Sequence, residues 1–384
     1  MMPPVLLKTT RLNALIFAAA VLPLPASAAV LPEDSVDVMY HSYSGGGVEV
    51  VGPSILVRKS LGSNTSFEAN YYVDDITSAS IDVVTQGSAY TEDRREGSLA
   101  ADILYGDTTL SVGIANSEEN DYSASNYWFG VTQEFFGGLS TASFGYGRAS
   151  DEVRKNGTPT FKQAIKRRNY RLGFTQVLTK NALVGATFET ITDEGFLNNP
   201  YRSYRFLDAA SVIGYSYALE MYPGTRTSNA ASLRGLYFLE PHSSVYAKYR
   251  YFSDDWEIKA HDIELGYTRA ISNSWLFDVG YRYYTQTGAD FFSNMFARRD
   301  QQNFMGRDKE LSPFDSHTLS FGFSYQPLPN GWWQIENGSV NLYYDRIMSS
   351  YDEYTNNSPG TTLATEQLFE FDANVVRAYF SIGF

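Results

Sequence analysis

The chain has 384 residues, with 30 basic and 43 acidic side chains, a formal net charge of −13 and no cysteine. The acidic balance argues against a nucleic-acid-binding protein, because phosphates require a basic surface, and the lack of cysteine excludes a disulfide scaffold. Aromatic residues make up 15% of the chain, while the mean hydropathy is slightly negative. This combination is typical of strands with one lipid-facing side and one polar side.

Residues 1–28 have the pattern of a cleaved secretory signal peptide. Lys8 and Arg11 give a basic start, residues 12–24 are mostly apolar, and Ala26-Ser27-Ala28 offers small residues for cleavage. No run of 18 apolar residues follows, so no membrane-spanning helix is predicted. We therefore expect an exported protein in which residues 29–384 form a single domain.

Segments in which apolar and polar residues alternate follow one another along the rest of the chain. Near the C-terminus, for example, Val376, Ala378, Phe380, Ile382 and Phe384 occupy every second position. This period of two is typical of strands with two different faces, and three-four helical spacing is nowhere sustained. Sixteen strands are predicted, at 36–43, 48–60, 64–76, 95–105, 108–118, 124–136, 139–150, 166–179, 182–193, 228–240, 243–254, 259–272, 274–287, 314–327, 337–348 and 374–384.

The connections between these strands alternate between short and long. The short ones carry residues that suit tight hairpins: Gly62-Ser63, Gly106-Asp107, Gly137-Gly138, Lys180-Asn181, Pro241-His242 and Ser272-Asn273. The long ones are 77–94, 151–165, 194–227, 288–313 and 349–367. Outer-membrane barrels have short periplasmic turns and long extracellular loops, so both termini are expected on the periplasmic side.

The predicted fold class is all-β: a transmembrane antiparallel β-barrel in a bacterial outer membrane. A soluble sandwich would not expose aromatic residues on one face of nearly every strand, and closure removes the strand edges that lipid would not tolerate. Sixteen strands are expected, with fourteen as the alternative, because Ser44-Gly45-Gly46-Gly47 could be a bulge inside one longer strand. Phe380, Ile382 and the terminal Phe384 are similar to the C-terminal signal recognised by the barrel-assembly machinery.

Charged residues of both signs are expected to line the lumen. By alternation they are Glu68, Asp74, Arg167, Arg171, Glu189, Lys248, Arg250, Asp262, Glu264, Asp278, Arg282, Asp345 and Arg377. A strongly selective pore would favour a ring of one sign. The mixture indicates either a hydrated channel with a transverse field or a lumen partly filled by ion pairs.

The longest connection, 194–227, is too apolar for a loop that only extends into water. We expect it to pack inward over the mouth of the barrel. Arg202, Arg205 and Arg226 would then either form a constriction that selects anions or make salt bridges to acidic residues of the wall, and the second interpretation is favoured. The connection 288–313 combines alternating charges with an aromatic cluster and is predicted to hold a short helix that caps the pore.

Motifs for metal binding and catalysis are sparse. The four histidines, His41, His242, His261 and His317, lie far apart and lack the spacing of a metal site. The acidic stretches 118–121 (EEND) and 254–257 (DDWE) could recruit divalent cations but are more often solvated. His317 beside Ser316 or Ser320 does not supply a catalytic triad. The sequence therefore predicts no catalytic residues, no metal site and no cofactor.

Five segments carry a family resemblance: YHSYSGGGVEVVGPSILVRKSLG, SASIDVVTQGSAYTEDR, TDEGFLNNPYRSYRF, YPGTRTSNA and RDKELSPFDSHTL. In them the chain resembles the proteobacterial domain-of-unknown-function family 3570. That family has no assigned activity and no catalytic motif to transfer. The resemblance implies a role in an envelope redox system, since genes of the family often lie beside those for a small lipoprotein, a thioredoxin-like protein and a flavin transferase.

Two functions remain open from the sequence. The first is a channel or transport-associated pore for small solutes, which a sixteen-strand barrel is wide enough to form. The second is a non-conducting barrel that scaffolds a periplasmic lipoprotein or redox partner. Neither is an enzyme. The partners expected in both cases are outer-membrane lipid, lipopolysaccharide and the barrel-assembly machinery, and no nucleic acid is expected.

Overall fold

The computed structural model describes residues 30–78, 90–328, 331, 335–357 and 362–384, and the predicted signal peptide lies outside the described residues. Sixteen antiparallel strands close into one barrel, in which β18 pairs with β1. The prediction of a sixteen-stranded all-β barrel is therefore confirmed. The described residues form eighteen strands, of which all but β10 and β11 belong to the barrel. They are β1 Ser35–Gly45, β2 Val48–Ser60, β3 Thr65–Ser78, β4 Tyr90–Tyr105, β5 Thr108–Glu118, β6 Tyr122–Phe135, β7 Ser140–Arg154, β8 Lys162–Thr179, β9 Ala182–Gly195, β10 Ser203–Leu207, β11 Tyr215–Leu219, β12 Thr225–Leu239, β13 Ser243–Asp254, β14 Lys259–Ser272, β15 Trp275–Gln286, β16 Phe314–Tyr325, β17 Asn337–Asn356 and β18 Gln367–Gly383.

The fourteen-strand alternative is excluded by the turn between β1 and β2. Gly45 pairs with Val48, so only Gly46 and Gly47 lie between the strands. Both glycines have positive φ, 60° and 77°. A two-residue hairpin needs this conformation at both positions, and glycine adopts it without strain. The stretch is therefore a tight turn rather than a bulge.

Several strands extend further toward the long-loop end than the sequence pattern indicated. β17 continues to Asn356 and β18 begins at Gln367, whereas the predicted segments were 337–348 and 374–384. On the outer face the added residues are largely polar, as with Ser350, Glu370 and Asp372, while Phe369 and Phe371 have the lumen-facing parity, so the outer apolar alternation does not continue. Their backbone groups still pair with neighbouring strands because unpaired backbone groups are costly once shielded from water. The wall thus rises as a polar collar beyond its apolar part.

The two faces of the barrel wall differ in chemistry. On β8, Tyr170, Leu172 and Phe174 are 42%, 54% and 49% exposed on the outer face, and Arg171 and Gly173 alternate with them toward the lumen. Exposed apolar residues occupy the outer face of the other barrel strands as well, and together they form an apolar belt. At the C-terminus, Phe380, Ile382 and Phe384 belong to this belt.

No helix in the described part of the chain is long and apolar enough to cross a membrane.

The long connections at one end of the barrel pack together. We call residues 196–224, 287–313, 357 and 362–366 the cap. Within it β10 and β11 pair as a hairpin that is separate from the barrel sheet. Of the short helix predicted in 288–313, the described structure contains a single 3-10 turn, Lys309–Leu311. Isolated bridges such as Met221 to Met305 hold this segment to the rest of the cap instead.

The buried apolar residues are concentrated at this same end. One cluster joins Tyr204 and Phe206 of the hairpin to Phe296 and Met305. Two others tie the cap to the barrel strands, around Tyr222, Trp256 and Phe291 and around Phe314, Tyr351, Tyr354 and Phe369. A barrel this wide cannot be filled by its own wall side chains, so the apolar core of the molecule lies in the cap.

Candidate functional site

The cap reaches into the mouth of the barrel. Lys309 is only 4% exposed, and its ammonium group lies 5.3 Å and 5.6 Å from the ring centroids of Phe369 and Phe371. Both rings belong to β18 and have the lumen-facing parity of Arg377. Aromatic faces stabilise a buried cation where water cannot. A cap residue is therefore held against the inner face of the wall.

Arg205 of the cap hairpin is fully buried and paired with Glu366. The two guanidinium nitrogens Nη1 and Nη2 donate to the two carboxylate oxygens over 2.5 Å and 2.8 Å, and the exposed fractions of the side chains are 0% and 4%. Thr355 Oγ1 also donates to Glu366 over 2.6 Å. A bidentate pair of this kind fixes both position and orientation. Arg205 thus joins the hairpin to the segment before β18 and contacts no lumen water.

The other two arginines of the predicted constriction are also paired. Arg202 lies 2.7 Å from Asp308, which is itself part of the cap. Arg226, at the start of β12, donates to Asp254 at the end of β13 over 2.5 Å. Each of the three guanidinium groups is thus bound to a different carboxylate. The expected wall partners were wrong for Arg202 and Arg205, because the cap supplies its own carboxylates.

A second buried polar group lies beneath the hairpin. Glu220 accepts a hydrogen bond from the backbone N–H of Arg307 over 2.6 Å and another from the Tyr222 hydroxyl. Burial raises the pKa of Glu220 to about 7, and the nearby charge of Asp308 adds to the effect. The Arg307 side chain donates to the backbone oxygen of Thr355 over 3.0 Å. These contacts cross-link the parts of the cap that the apolar clusters bring together.

The lumen charges are placed differently. Cross-strand pairs form between Arg282 and Asp262, between Arg377 and Asp345, and between Arg167 and Asp193. Others join Lys248 to Glu264 at 3.6 Å and Arg250 to Glu189 at 3.9 Å. Glu68 pairs with Arg58, and Asp278 accepts from Thr268. Most of these side chains keep partial exposure, so the described wall carries hydrated ion pairs of both signs.

Two of the predicted lumen residues are buried: Asp262, which is 5% exposed, and Asp74, which is the more deeply buried of the two. Its side chain is 1% exposed and lies 2.5 Å from Arg94. His41 Nε2 lies 2.7 Å from the other Asp74 oxygen, and the Tyr72 ring stacks on the His41 ring at 5.0 Å. This network stiffens the wall where β1, β3 and β4 meet. The Tyr72 hydroxyl also lies 3.0 Å from His41 Nε2, so these side chains form one buried polar network.

Three carboxylates meet at the collar above β4. Glu92, Glu119 and Asp121 are buried, and one oxygen from each lies within 4.8 Å of the others. The interpretation of 118–121 as a solvated patch was therefore wrong for Glu119 and Asp121, because the strand connection folds inward. Burial raises the pKa of Glu119 to about 7 and that of Asp121 to about 6. Sequence reasoning missed Glu92 because the barrel, not the local sequence, brings β4 beside this connection.

The histidines lie apart, as the sequence suggested. His261 and His317 are on the outer face, where their Nδ1 atoms lie 2.7 Å from the hydroxyls of Tyr249 and Tyr281. Ser316 is on the opposite face of β16 from His317. Glu366 and Asp308 are the important residues that sequence analysis did not single out. The loops that contain them were recognised. However, Arg205 and Glu366 are 161 residues apart, and one sequence does not indicate that two such distant residues form a pair.

Comparison with known proteins agrees with the fold. A family model described as "Protein of unknown function (DUF3570)" matches residues 84–347, and among curated proteins none matches at a significant level. A bacterial polysaccharide outer membrane secretin superposes with a TM-score of 0.50 at 8% identity, over 92% of this chain and 100% of that chain. CdiB from Acinetobacter baumannii gives 0.49 at 7% identity, over 91% and 60%. A Pseudomonas aeruginosa FadL homologue gives 0.43 at 9%, over 91% and 90%.

Proposed function

This chain belongs to the DUF3570 family, whose description names no activity, and we propose from its geometry that it is an outer-membrane pore for small solutes, closed at its outer mouth by the cap. The apolar belt would face lipid and lipopolysaccharide, and the collar and cap would lie outside the cell. Phe384 and the belt residues Phe380 and Ile382 would be read by the barrel-assembly machinery. The role is transport rather than catalysis.

The observation that carries the proposal is the contrast in exposure between two sets of charges. Wall residues such as Lys248 and Glu264 keep 24% and 29% of their side-chain surface exposed, as in a wet lumen. Arg205 in the cap keeps 0%. A sixteen-strand wall is wide enough to enclose water, so the conducting path would be limited by the cap and not by the barrel.

Selectivity would arise from the lumen pairs and would be weak. Charges of both signs alternate around the wall, and each is largely neutralised by its neighbour, as with Arg282 and Asp262. A ring of one sign is what strong ion selectivity requires. Arg202 and Arg205 would act as closing contacts, because each is already paired with a carboxylate of the cap. Arg226 would instead join two wall strands through Asp254.

A liposome-swelling assay with a small uncharged solute tests this proposal. We compare the native chain with a variant in which β10, β11 and the turn between them, residues 203–219, are replaced by a short glycine-serine linker. Slow swelling with the native chain and fast swelling with the variant would support a capped pore. A matched variant with a glycine-serine insertion between Gly106 and Asp107, in a tight turn at the other end of the barrel, should behave like the native chain.

The second candidate is a non-conducting scaffold for a periplasmic lipoprotein or redox partner. It is favoured by the completeness of the cap, in which the largest buried side chains include Arg205, Tyr204 and Met305. A scaffold needs a rigid barrel and no open lumen. If neither the native chain nor the cap-deleted variant admits solute, the pore is refuted and the scaffold takes its place.

A further inference from the structure

An acidic pocket lies where the collar meets the cap. It is formed by Glu92 near the start of β4 and by Glu119 and Asp121 in the connection between β5 and β6. The three residues are 5%, 6% and 0% exposed, and one oxygen from each lies within 4.8 Å of the other two. Carboxylates so close repel one another, and in a buried site water does not screen the repulsion.

Two oxygens of this pocket have no hydrogen-bond partner. Glu92 Oε1 and Asp121 Oδ1 are both buried and unpaired. The second oxygen of Asp121 is satisfied, since the Tyr201 hydroxyl donates to Oδ2 over 2.7 Å. A buried carboxylate oxygen without a donor is costly, and native proteins usually supply a donor, a water or an ion. Both atoms are therefore available to coordinate a cation.

The cations beside the pocket are already engaged. Arg94 acts on Glu119 but lies 2.5 Å from Asp74. Arg154 acts on Asp121 but lies 2.5 Å from Glu118. Each guanidinium is thus paired with a carboxylate that is not one of the three. Two arginines and five carboxylates leave an excess of negative charge in the pocket.

We propose that Glu92, Glu119 and Asp121 bind one Ca²⁺ ion. Carboxylate oxygens are the ligands that hard divalent cations prefer, and Ca²⁺ accepts about six to eight of them in irregular geometry. Mg²⁺ requires near-octahedral geometry and keeps several waters, which suits a buried pocket less well. Softer metals prefer nitrogen or sulfur ligands, and the pocket contains neither. Backbone oxygens and water would complete the coordination.

The ion would fasten the cap to the wall. Tyr201 belongs to the first segment of the cap, and its hydroxyl both donates to Asp121 and accepts from the backbone N–H of Asn156 over 2.7 Å. Fixing Asp121 therefore fixes Tyr201 and the chain that leads into the hairpin. Any effect of the bound ion on conductance, through a more firmly held cap, rests on the proposed pore. Ca²⁺ binding itself does not.

The test is calorimetric titration of the full chain, folded in detergent and freed of divalent ions with EGTA, with CaCl₂. We expect one saturable site per chain and a higher unfolding temperature with Ca²⁺ than with the same concentration of Mg²⁺. Asp121→Asn and Glu92→Gln keep side-chain shape but remove charge, and each should weaken Ca²⁺ binding by about ten-fold or more. Glu257→Gln removes an exposed acid from the other acidic stretch and should bind as the native chain does.

Absence of saturable Ca²⁺ binding to the native chain would overturn the proposal, and so would unchanged affinity in both Asp121→Asn and Glu92→Gln. If neither variant folds, the native titration decides by itself, because a Ca²⁺-specific rise in unfolding temperature is expected only with a built site. Ca²⁺ binding by a chain that never conducts would refute the pore and leave the cation site intact.

Discussion

The cap and the wall use the same chemistry in two different ways. Both contain arginine–carboxylate pairs, but Arg205 and Glu366 are 0% and 4% exposed, whereas Arg250 and Glu189 are 34% and 27% exposed. Breaking a buried pair leaves an uncompensated charge and costs about 3–5 kcal/mol. A pair in contact with water contributes about 0–1 kcal/mol. The structure of the cap therefore depends on its ion pairs, whereas the ion pairs that line the wall can remain hydrated at little cost in stability.

The largest effect is expected from Glu366→Gln. The neutral amide keeps the size of the side chain but leaves the Arg205 charge buried, so the free energy of opening the hairpin should fall by about 3–5 kcal/mol. Hydrogen exchange of the amides in 203–219 measures this opening. Asp372→Asn, which breaks an exposed pair with Arg346, is the control and should change it by less than about 1 kcal/mol. Equal exchange in the two variants would remove the distinction between cap and wall.

The two faces of the wall can be separated by placing the same charge on each. Leu172→Arg puts a guanidinium in the apolar belt between Tyr170 and Phe174, and should destabilise the barrel by about 2–4 kcal/mol. Thr175→Arg puts it on the lumen side of the same strand and should cost far less. Folding yield and urea unfolding in lipid vesicles measure both. Similar stability of the two variants would contradict the assignment of the faces.

The cap should also respond to pH, because its buried acid differs from the acids of the wall. The pKa of Glu220 is raised from 4.5 to about 7 by burial and by Asp308, and Arg202 opposes the shift. The closed cap holds this proton more tightly than an open cap does. Its contribution to closure is therefore complete below pH 4.5 and is lost as the pH rises through about 7. The protection factors of the cap amides, which correct for the intrinsic rise of exchange with pH, should fall over this interval.

Glu220→Gln should remove this dependence and is the control for it. Closure of the cap is also expected to weaken at low pH, because of Glu366. Burial alone would raise its pKa, but hydrogen bonds from Arg205 and Thr355 lower it below the ordinary value. Its contribution is present above that ordinary value and is lost as the pH falls through the lowered one. If the protection factors of the cap amides do not change between pH 4.5 and neutrality, the role given to Glu220 is contradicted.

The smallest effect is expected in the wall. Lys248→Met removes one partner of Glu264, whose oxygen lies 3.6 Å away in a partly exposed pair. The stability of the barrel should change by less than about 1 kcal/mol. The lumen would gain negative charge, so in a cap-deleted background the reversal potential should shift toward cation preference. A shift toward anions would show that Lys248 does not face the conducting path.

Most of the fold could be predicted from the sequence, because the residues of each barrel strand alternate according to which side faces lipid and which faces the lumen. The alternation of Val376, Ala378 and Phe380 with polar residues shows one apolar and one polar face, and closure follows from the number of such strands. The strand ends at the collar could not be predicted in this way. Ser349 and Ser350, for instance, pair within the sheet, but two successive small polar side chains mark neither face as apolar.

The candidate sites could be predicted only in part. The lengths and aromatic content of 194–227 and 288–313 indicated inward packing, and Arg205 was singled out. Its partner Glu366 and the meeting of Glu92 with Asp121 depend on which strands are adjacent in the closed barrel. A single sequence does not contain that information. The alternation of residues identifies each strand and its two faces, but it does not show which strands are neighbours.

The most direct test of the account is the single-channel conductance of the native chain and of Glu366→Gln in a planar bilayer. The barrel wall is the same in both, so only the buried contact of the cap differs. The account predicts that the native chain is mostly closed and that the variant shows frequent openings of one uniform size. If the variant stays as silent as the native chain while its cap exchanges freely, the lumen does not conduct and the central claim is contradicted.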